Sequence, residues 1–505
     1  MENHFSTYSR EDGGKAILLF LLFLLALYGF FISGFSTFAL ICVSPLLILF
    51  VYAVFTYRML AFWSLFVINY FLQWHNIHLP FPTSLPNEML EILLLAVAII
   101  DSRQNPHFEK AVNPMLFALI VWCVFCILEL FNNSCNLGIN FGAWYTGARA
   151  IAFQLLYIFL VFSIYISTPQ ILIRYLWLWA CLALFSALWT WKQQNIGFTD
   201  SEYVWLHGRG ASTHILQAGT LTRYFSTFSD AANYGCNAAA TAVAFIIFGI
   251  TSKMRKERLF FLIVAILVII NMFASGTRTA IFCLFGGFAV YIVLSKSIKI
   301  AIPAAIVGAF FLFILMFTTI GQGNQQIRRM RSAFNREDAS ANVRTINQAV
   351  MAKYLQDAPW GIGIGMGNNN VPANNKFYIL ANIAPDSEYV FIWLRTGPIG
   401  ITVFVITTLI MFIGACIIVL FRLRSPSLIG IGAGFCCAFV AIQLGGYANQ
   451  VLMQFPNGLL FYGGLTIVYI LPYIEPAWME YETQRLAKQD EKKRIKLEKK
   501  LASRV

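Results

Sequence analysis

The sequence is short of charge. Asp, Glu, Lys and Arg together make up 12% of its 505 residues, about half the roughly 25% of soluble domains, which excludes an ordinary water-soluble globular protein. Histidine is scarce too: there are six, and none lies beyond His214, so more than half of the chain offers no imidazole as base or metal ligand. No cluster of acidic, cysteine and histidine residues has metal-ligand spacing. The ten cysteines fall mostly inside apolar runs. Cys123 and Cys126 have C-x-x-C spacing but no second pair nearby, and small apolar packing is the simpler account of them. The run Gly361, Gly363, Gly365, Gly367 lacks the Lys-Ser/Thr ending and the preceding strand of a phosphate-binding loop, which argues against a nucleotide site. Nor is there an internal repeat of the kind that marks inverted-repeat transporters.

What is abundant is apolar length. Hydrophobic residues make up 59% of the chain, in runs of roughly 17–22 residues, enough at 1.5 Å per residue to cross a hydrocarbon core about 30 Å thick. Candidate spans lie near residues 16–33, 37–57, 59–74, 86–101, 114–131, 147–167, 170–190, 230–250, 259–274, 279–295, 300–319, 398–421, 428–446 and 457–473. The expected fold is an all-α polytopic membrane protein with about 12–14 transmembrane helices. The run after Lys15 has no convincing cleavage site and is followed at once by further spans, so it reads as a retained first helix.

Positive charge sets the orientation. With both termini in the cytoplasm, Arg58, Arg103, Lys110, Arg174, Lys253, Arg255, Lys256, Arg258, Lys296, Lys299, Arg422 and Arg424 all fall on the inner side, as the positive-inside rule requires. The net charge of +13 therefore reflects loop topology; the bilayer, and not nucleic acid, is the expected partner. Four parts follow: a membrane domain over 1–320 with an outer segment at 192–229, a large helical outer loop over 321–397, C-terminal transmembrane helices over 398–474, and a basic tail over 475–505. In the loop, Val343, Ile346, Val350, Met351 and Leu355 recur at helical intervals, which predicts an amphipathic helix over Ala339–Gln356. The tail from Glu480 onward carries nine basic and five acidic residues and reads as a solvated helix against anionic headgroups.

Arginine is concentrated on the outer side. The large loop holds Arg328, Arg329, Arg331, Arg336 and Arg344, with Arg395 at its far end, and Arg149, Arg223 and Arg278 stand at outer ends of spans. Each alone has a plain explanation, either snorkelling to the headgroups or pairing with a carboxylate such as Glu337 or Asp338. Together, with arginine prevailing over lysine, they suit the bidentate recognition of phosphate oxygens. A shared diphosphate ligand at the outer leaflet is the expectation.

Four stretches then carry a resemblance: Arg-Tyr-Phe-Ser-Thr-Phe-Ser-Asp-Ala-Ala-Asn-Tyr-Gly at 223–235, Ser-Gly-Thr-Arg-Thr-Ala at 275–280, Val-Arg-Thr-Ile-Asn-Gln-Ala at 343–349 with Asp-Ala-Pro-Trp-Gly-Ile-Gly-Ile-Gly at 357–365, and Asp-Ser-Glu-Tyr-Val-Phe-Ile-Trp-Leu-Arg-Thr-Gly-Pro-Ile-Gly at 386–400. In order and placement they resemble the O-antigen ligase and polymerase superfamily, membrane glycosyltransferases that take a glycan from a polyprenyl-diphosphate carrier. The resemblance implies a bacterial inner-membrane location, periplasmic chemistry, no metal or cofactor, and a glycan, lipid or protein acceptor. It makes Arg223 and Arg278 diphosphate contacts, with Arg344 a further basic contact; Arg149, Arg328 and Arg395 join them as candidates. The family commonly has a histidine at the end of the large loop, where this chain has Asp386 and Glu388. Either a carboxylate serves as base or the acceptor hydroxyl is activated differently. Capping of the following helix is the competing role for both residues. A polymerase is the first expectation, a ligase to a lipid A core or a protein O-oligosaccharyltransferase the next, and a flippase or secondary transporter the alternative of another class.

Overall fold

The computed structural model describes residues 20–21, 23–25, 28, 35–76, 84–101, 108–216, 221–295, 298–332, 339–367, 369–383 and 385–502. Two compact units divide the chain, Met1–Trp63 and Ser64–Val505. The first holds α1 (Phe35–Thr56), an apolar helix with Pro45 inside it. The span expected over 16–33, like Arg103, Lys296, Arg336, Glu337 and Asp338, falls largely or wholly outside the described residues. A second helix, α2 (Arg58–Phe71), follows.

The second unit is helical apart from one short antiparallel pair, β1 (Ile215–Leu216) with β2 (Leu221–Thr222). Its longer helices are α3 (Leu85–Asp101), α4 (Pro114–Phe131), α5 (Phe141–Tyr165), α6 (Pro169–Asn195), α7 (Ala231–Thr251), α8 (Arg255–Ala274), α9 (Thr279–Leu294), α10 (Ile298–Phe317), α11 (Gln325–Arg331), α12 (Ala339–Leu355), α13 (Glu388–Arg422), α14 (Pro426–Ala448) and α15 (Gly463–Ala502). Among the described residues eight helices are long and apolar enough to cross a membrane, or nine if Ile48–Thr56 and Arg58–Phe71 form one span. The protein is thus a polytopic helical membrane protein, and its described residues supply eight or nine such helices against the 12–14 expected of the whole chain. The apolar runs near 86–101 and 279–295 do fold as helices, but α3 has 17 residues and three carboxylates, Glu88, Glu91 and Asp101, and α9 has only 16 residues, about 24 Å of rise.

The centre of the unit is built from small side chains. In α7 the sequence Ala-Ala-Asn-Tyr-Gly-Cys-Asn-Ala-Ala-Ala-Thr-Ala is almost wholly buried, and α7 packs on α8, α9 and α14. Close approach of this kind drives helix association where lipid removes the usual hydrophobic gain.

α13 is broken. Gly397 has φ +66° and ψ −172°, and Pro398 follows. Proline has no N–H to offer the carbonyl of Leu394, and the break strands that of Arg395 as well. Both are satisfied from the loop: the Ile362 N–H donates to Leu394 O at 3.1 Å and the Gly363 N–H to Arg395 O at 3.0 Å. A Cβ on Gly361 would lie 2.5 Å from the Arg395 carbonyl, and one on Gly397 would lie 2.1 Å from Pro359 O. Gly361 and Gly397 therefore let the loop run backbone to backbone beside the broken helix, the condition under which irregular backbone is tolerated near a membrane.

Helix alternation places the connections. The segments 132–140, 196–216, 221–230, 275–278, 318–332, 356–367, 369–383, 385–387 and 449–457 share one end of the bundle, and 252–254, 423–425 and the described part of the tail lie at the other.

Candidate functional site at the arginine-rich end

The site begins with a tight turn. After α8, Ser275-Gly276-Thr277-Arg278 reverses the chain into α9, with Gly276 at φ +59°. Two arginine side chains from distant parts of the chain close on this turn. Arg223 donates from Nε to Ser275 O (3.2 Å), from Nη2 to Thr277 Oγ1 (3.0 Å) and from Nη1 to Thr213 O (2.9 Å). Arg329 donates from Nε to Gly276 O at 2.8 Å. A Cβ on Gly276 would stand 3.2 Å from Arg223 Cγ and 3.3 Å from Arg329 Cδ, so glycine is needed both for the turn and for the approach of the two side chains. Arg278 completes the group, reaching Ser332 Oγ at 3.4 Å.

Three guanidinium groups thus gather on one four-residue turn. Those of Arg223 meet only neutral acceptors in these bonds. Burial holds the Arg223 pKa below the ordinary guanidinium value; Asp230 and Cys236 oppose the shift and Arg278 adds to it. Asp230 is itself engaged, capping α7 by accepting from the N–H groups of Ala232 (2.8 Å) and Asn233 (2.9 Å). An anion set among these donors gains charge-assisted hydrogen bonds from several sides.

Beside the turn lies the Arg344–Asp386 pair. Arg344 Nε is 3.6 Å from Asp386 Oδ2, and the Asp386 side chain is 47% exposed. The two residues line a cavity of about 230 Å³ with Asn347, Gln348, Ser387 and Tyr447. The link to the arginine turn is short: Asn449, two residues past Tyr447, donates from Nδ2 to Thr279 Oγ1 at 3.1 Å, directly after Arg278. Glu388, by contrast, is buried, and its Oε2 accepts the Leu452 N–H at 3.1 Å. Capping of α13 falls to Ser387, whose side chain accepts from Val390 N.

Residues 263–405 match the O-antigen ligase family, Wzy_C. The match covers about 28% of the chain; Arg278, Arg328, Arg344, Arg395, Asp386 and Glu388 fall inside it, and Arg149 and Arg223 outside. No curated protein matches the sequence.

The remaining candidates are placed elsewhere. Arg149 does not begin its helix: α5 starts at Phe141, and Arg149 lies two turns in, with Nη1 3.3 Å from Glu88 Oε2. Arg328 donates to Gln322 O at 2.8 Å. Arg331 donates to the carbonyls of Ile314, Thr318 and Ile320, serving orphan acceptors at the end of α10. Arg395 lines a separate cavity of about 450 Å³ with Gly147, Gly365 and Asn370. α12 forms as expected, with Met351 and Leu355 buried, but Ile346 is exposed. Among the described residues no group of three or more His, Cys, Asp or Glu could hold a metal ion.

Three features escaped the sequence reading. His214 is buried beside Arg223, with its Nε2 accepting the Ala231 N–H at 2.9 Å and its carbonyl accepting the Arg223 N–H at 2.9 Å. Asn457 ties α7 to the 449–457 segment, donating to Asn233 Oδ1 and Val451 O and accepting from Asn237, each at 2.7 Å. Gln454 accepts from Ser229 Oγ at 2.7 Å. The one signal for the last two was a polar interruption, Asn449-Gln450 to Asn457, between apolar spans.

Proposed function

We propose that this protein is a membrane glycosyltransferase that transfers an oligosaccharide from a polyprenyl-diphosphate carrier to an acceptor hydroxyl, and that it works as a surface-polysaccharide polymerase. The observation that carries the reading is the convergence of Arg223, Arg278 and Arg329 on the Ser275–Arg278 turn, at an end of the bundle where a lipid-borne diphosphate has access. The opposite end carries Lys253, Arg255, Lys256, Arg422, Arg424 and the basic tail in short connections, which supports the arginine turn being on the non-cytoplasmic side. The match to the O-antigen ligase family over 263–405 agrees with this.

The chemistry follows from charge. The acceptor oxygen attacks the anomeric carbon, the bond from that carbon to the phosphate oxygen breaks, and polyprenyl diphosphate departs with the electron pair. Guanidinium groups already fixed on the turn stabilise the charge that develops on the leaving group. The proton of the attacking hydroxyl passes to Asp386, which is solvent-accessible and held by Arg344. Glu388 acts at one remove, by fixing the 451–453 backbone beside the cavity.

The test is reconstitution with a radiolabelled polyprenyl-diphosphate oligosaccharide. Release of free polyprenyl diphosphate together with a longer glycan is the expected outcome. Movement of intact donor between leaflets without cleavage would show a flippase instead. Asp386→Asn should lower turnover about 100-fold with donor binding nearly unchanged; equal turnover would remove Asp386 from the role of base.

A further inference from the structure

Arg395, unlike Arg149 and Arg344, pairs with no carboxylate among the described residues. Its guanidinium lies over the Phe391 ring, 5.4 Å from the centroid. Its Nε and Nη1 are buried with no hydrogen-bond partner. Burying a guanidinium without a counter-charge is costly, and removing such a charge commonly stabilises a fold.

The group forms part of the wall of the 450 Å³ cavity, a volume within the usual range of small-molecule sites. Ile151, Ile364 and Phe391 line it as well, and part of the wall is close-packed backbone. A Cβ on Gly365 would fall 1.8 Å from Ala143 O, and one on Gly147 would fall 2.7 Å from Gly365 N. The polar side chains there are engaged locally: Thr146 Oγ1 donates to Gly142 O at 2.8 Å and Asn370 Nδ2 to Gly365 O at 3.0 Å. The unsatisfied donors of the cavity therefore belong to Arg395. Around it Phe141, Tyr145 and Trp360 are exposed, as aromatic residues are at headgroup level.

This cavity and the Asp386 cavity share one wall. The first two turns of α13 contribute Ser387 and Val390 to one, and Phe391 and Arg395 to the other. Asp386 lies just before α13, and from Glu388 to Arg395 the helix rises about 10 Å. A phosphate held at Arg395 would thus be set at a fixed distance from the proposed base.

We propose that the Arg395 cavity is a second anion subsite, which takes the phosphate of a second lipid-linked glycan, the acceptor. The identity of that lipid rests on the function proposed above: polymerisation joins two glycans that both arrive on phosphate-bearing carriers. The binding itself does not depend on transfer.

The experiment measures equilibrium binding of radiolabelled farnesyl diphosphate, a short polyprenyl diphosphate, to the full chain in detergent micelles. The wild-type chain binds about two molecules. R395Q binds one, its other site weakened at least tenfold, and R278Q also keeps one. Inorganic diphosphate competes at least tenfold more weakly at the site lost in R395Q. Equal competition there would assign the subsite to a free anion and overturn the lipid assignment. A single wild-type site that is lost in R278Q and intact in R395Q overturns the inference and leaves the proposed function standing; no binding to the wild type overturns both. Thermal unfolding guards against misfolding: R395Q melts at or above the wild-type temperature, whereas a markedly lower midpoint would make Arg395 a structural residue and sink the proposal.

Discussion

Arg149 and Arg223 look alike in the sequence, each an arginine near the outer end of an apolar helix, yet the structure gives them opposite surroundings. Arg149 lies about 12 Å along α5 and faces Glu88 on α3 at 3.3 Å. Arg223 lies on a loop, is fastened by two carbonyls and a hydroxyl, and shares its turn with Arg278 and Arg329. The charge of the first is balanced inside the protein by Glu88. The second belongs to a group whose summed positive charge suits an anion from outside. Proximity to a helix end does not distinguish a structural arginine from a ligand-binding one; what its guanidinium faces does.

The largest effect expected from this contrast is on stability. Arg149→Ala leaves Glu88 buried without its partner, and breaking a buried pair from one side costs about 3–5 kcal/mol. Unfolding in micelles should show that loss, and Arg149→Ala with Glu88→Gln should recover most of it. If Arg149→Ala instead kept its stability and lost transfer, Arg149 would join the donor site and the contrast would fail.

Arg278→Gln is the converse. It should lower transfer by roughly 100- to 1000-fold, as removal of one fixed donor to a developing anion does, equivalent to about 3–4 kcal/mol of transition-state stabilisation. The unfolding midpoint should fall less than in Arg149→Ala, because the glutamine leaves no buried carboxylate without a partner. Unimpaired transfer would separate the arginine turn from the chemistry.

How far the sequence could be read depended on whether the information was local. Apolar run lengths predicted helices at nearly every position because backbone satisfaction in lipid leaves few other choices. The Ser-Gly-Thr-Arg stretch was visible because a glycine between polar residues marks a turn. The division within Arg328–Arg331 was not: positions 328 and 331 face the 318–322 turn while 329 faces Gly276, and helical spacing alone does not say what each face meets. The glycines at 361 and 365 have no local cause that the sequence shows: Gly361 meets the Gly397-Pro398 break, and Gly365 meets Ala143 on α5. Likewise Glu88 and Arg149, 61 residues apart, have no sequence signal that joins them.

The smallest expected effect concerns His214, which holds the start of α7 next to Arg223. Burial, with Arg223 adding to it and Asp230 opposing, pushes its pKa down to about 4; the Gly210 carbonyl opposes the shift and His75 adds to it. The neutral ring fits its bonds: Nε2 accepts the Ala231 N–H, while Nδ1 lies 3.2 Å from Gly210 O and can donate to it. Between pH 6.5 and 4 the unfolded chain therefore binds a proton that the folded chain refuses. The stabilisation is complete above about pH 6.5 and is lost progressively as pH falls to 4, by at most about 3 kcal/mol. Unfolding midpoints measured across that window should fall in the wild type and less steeply in His214→Gln. A slope identical in the two would place the acid sensitivity elsewhere and leave the Arg223 turn without the neutral anchor that distinguishes it from the ion pair at Arg149.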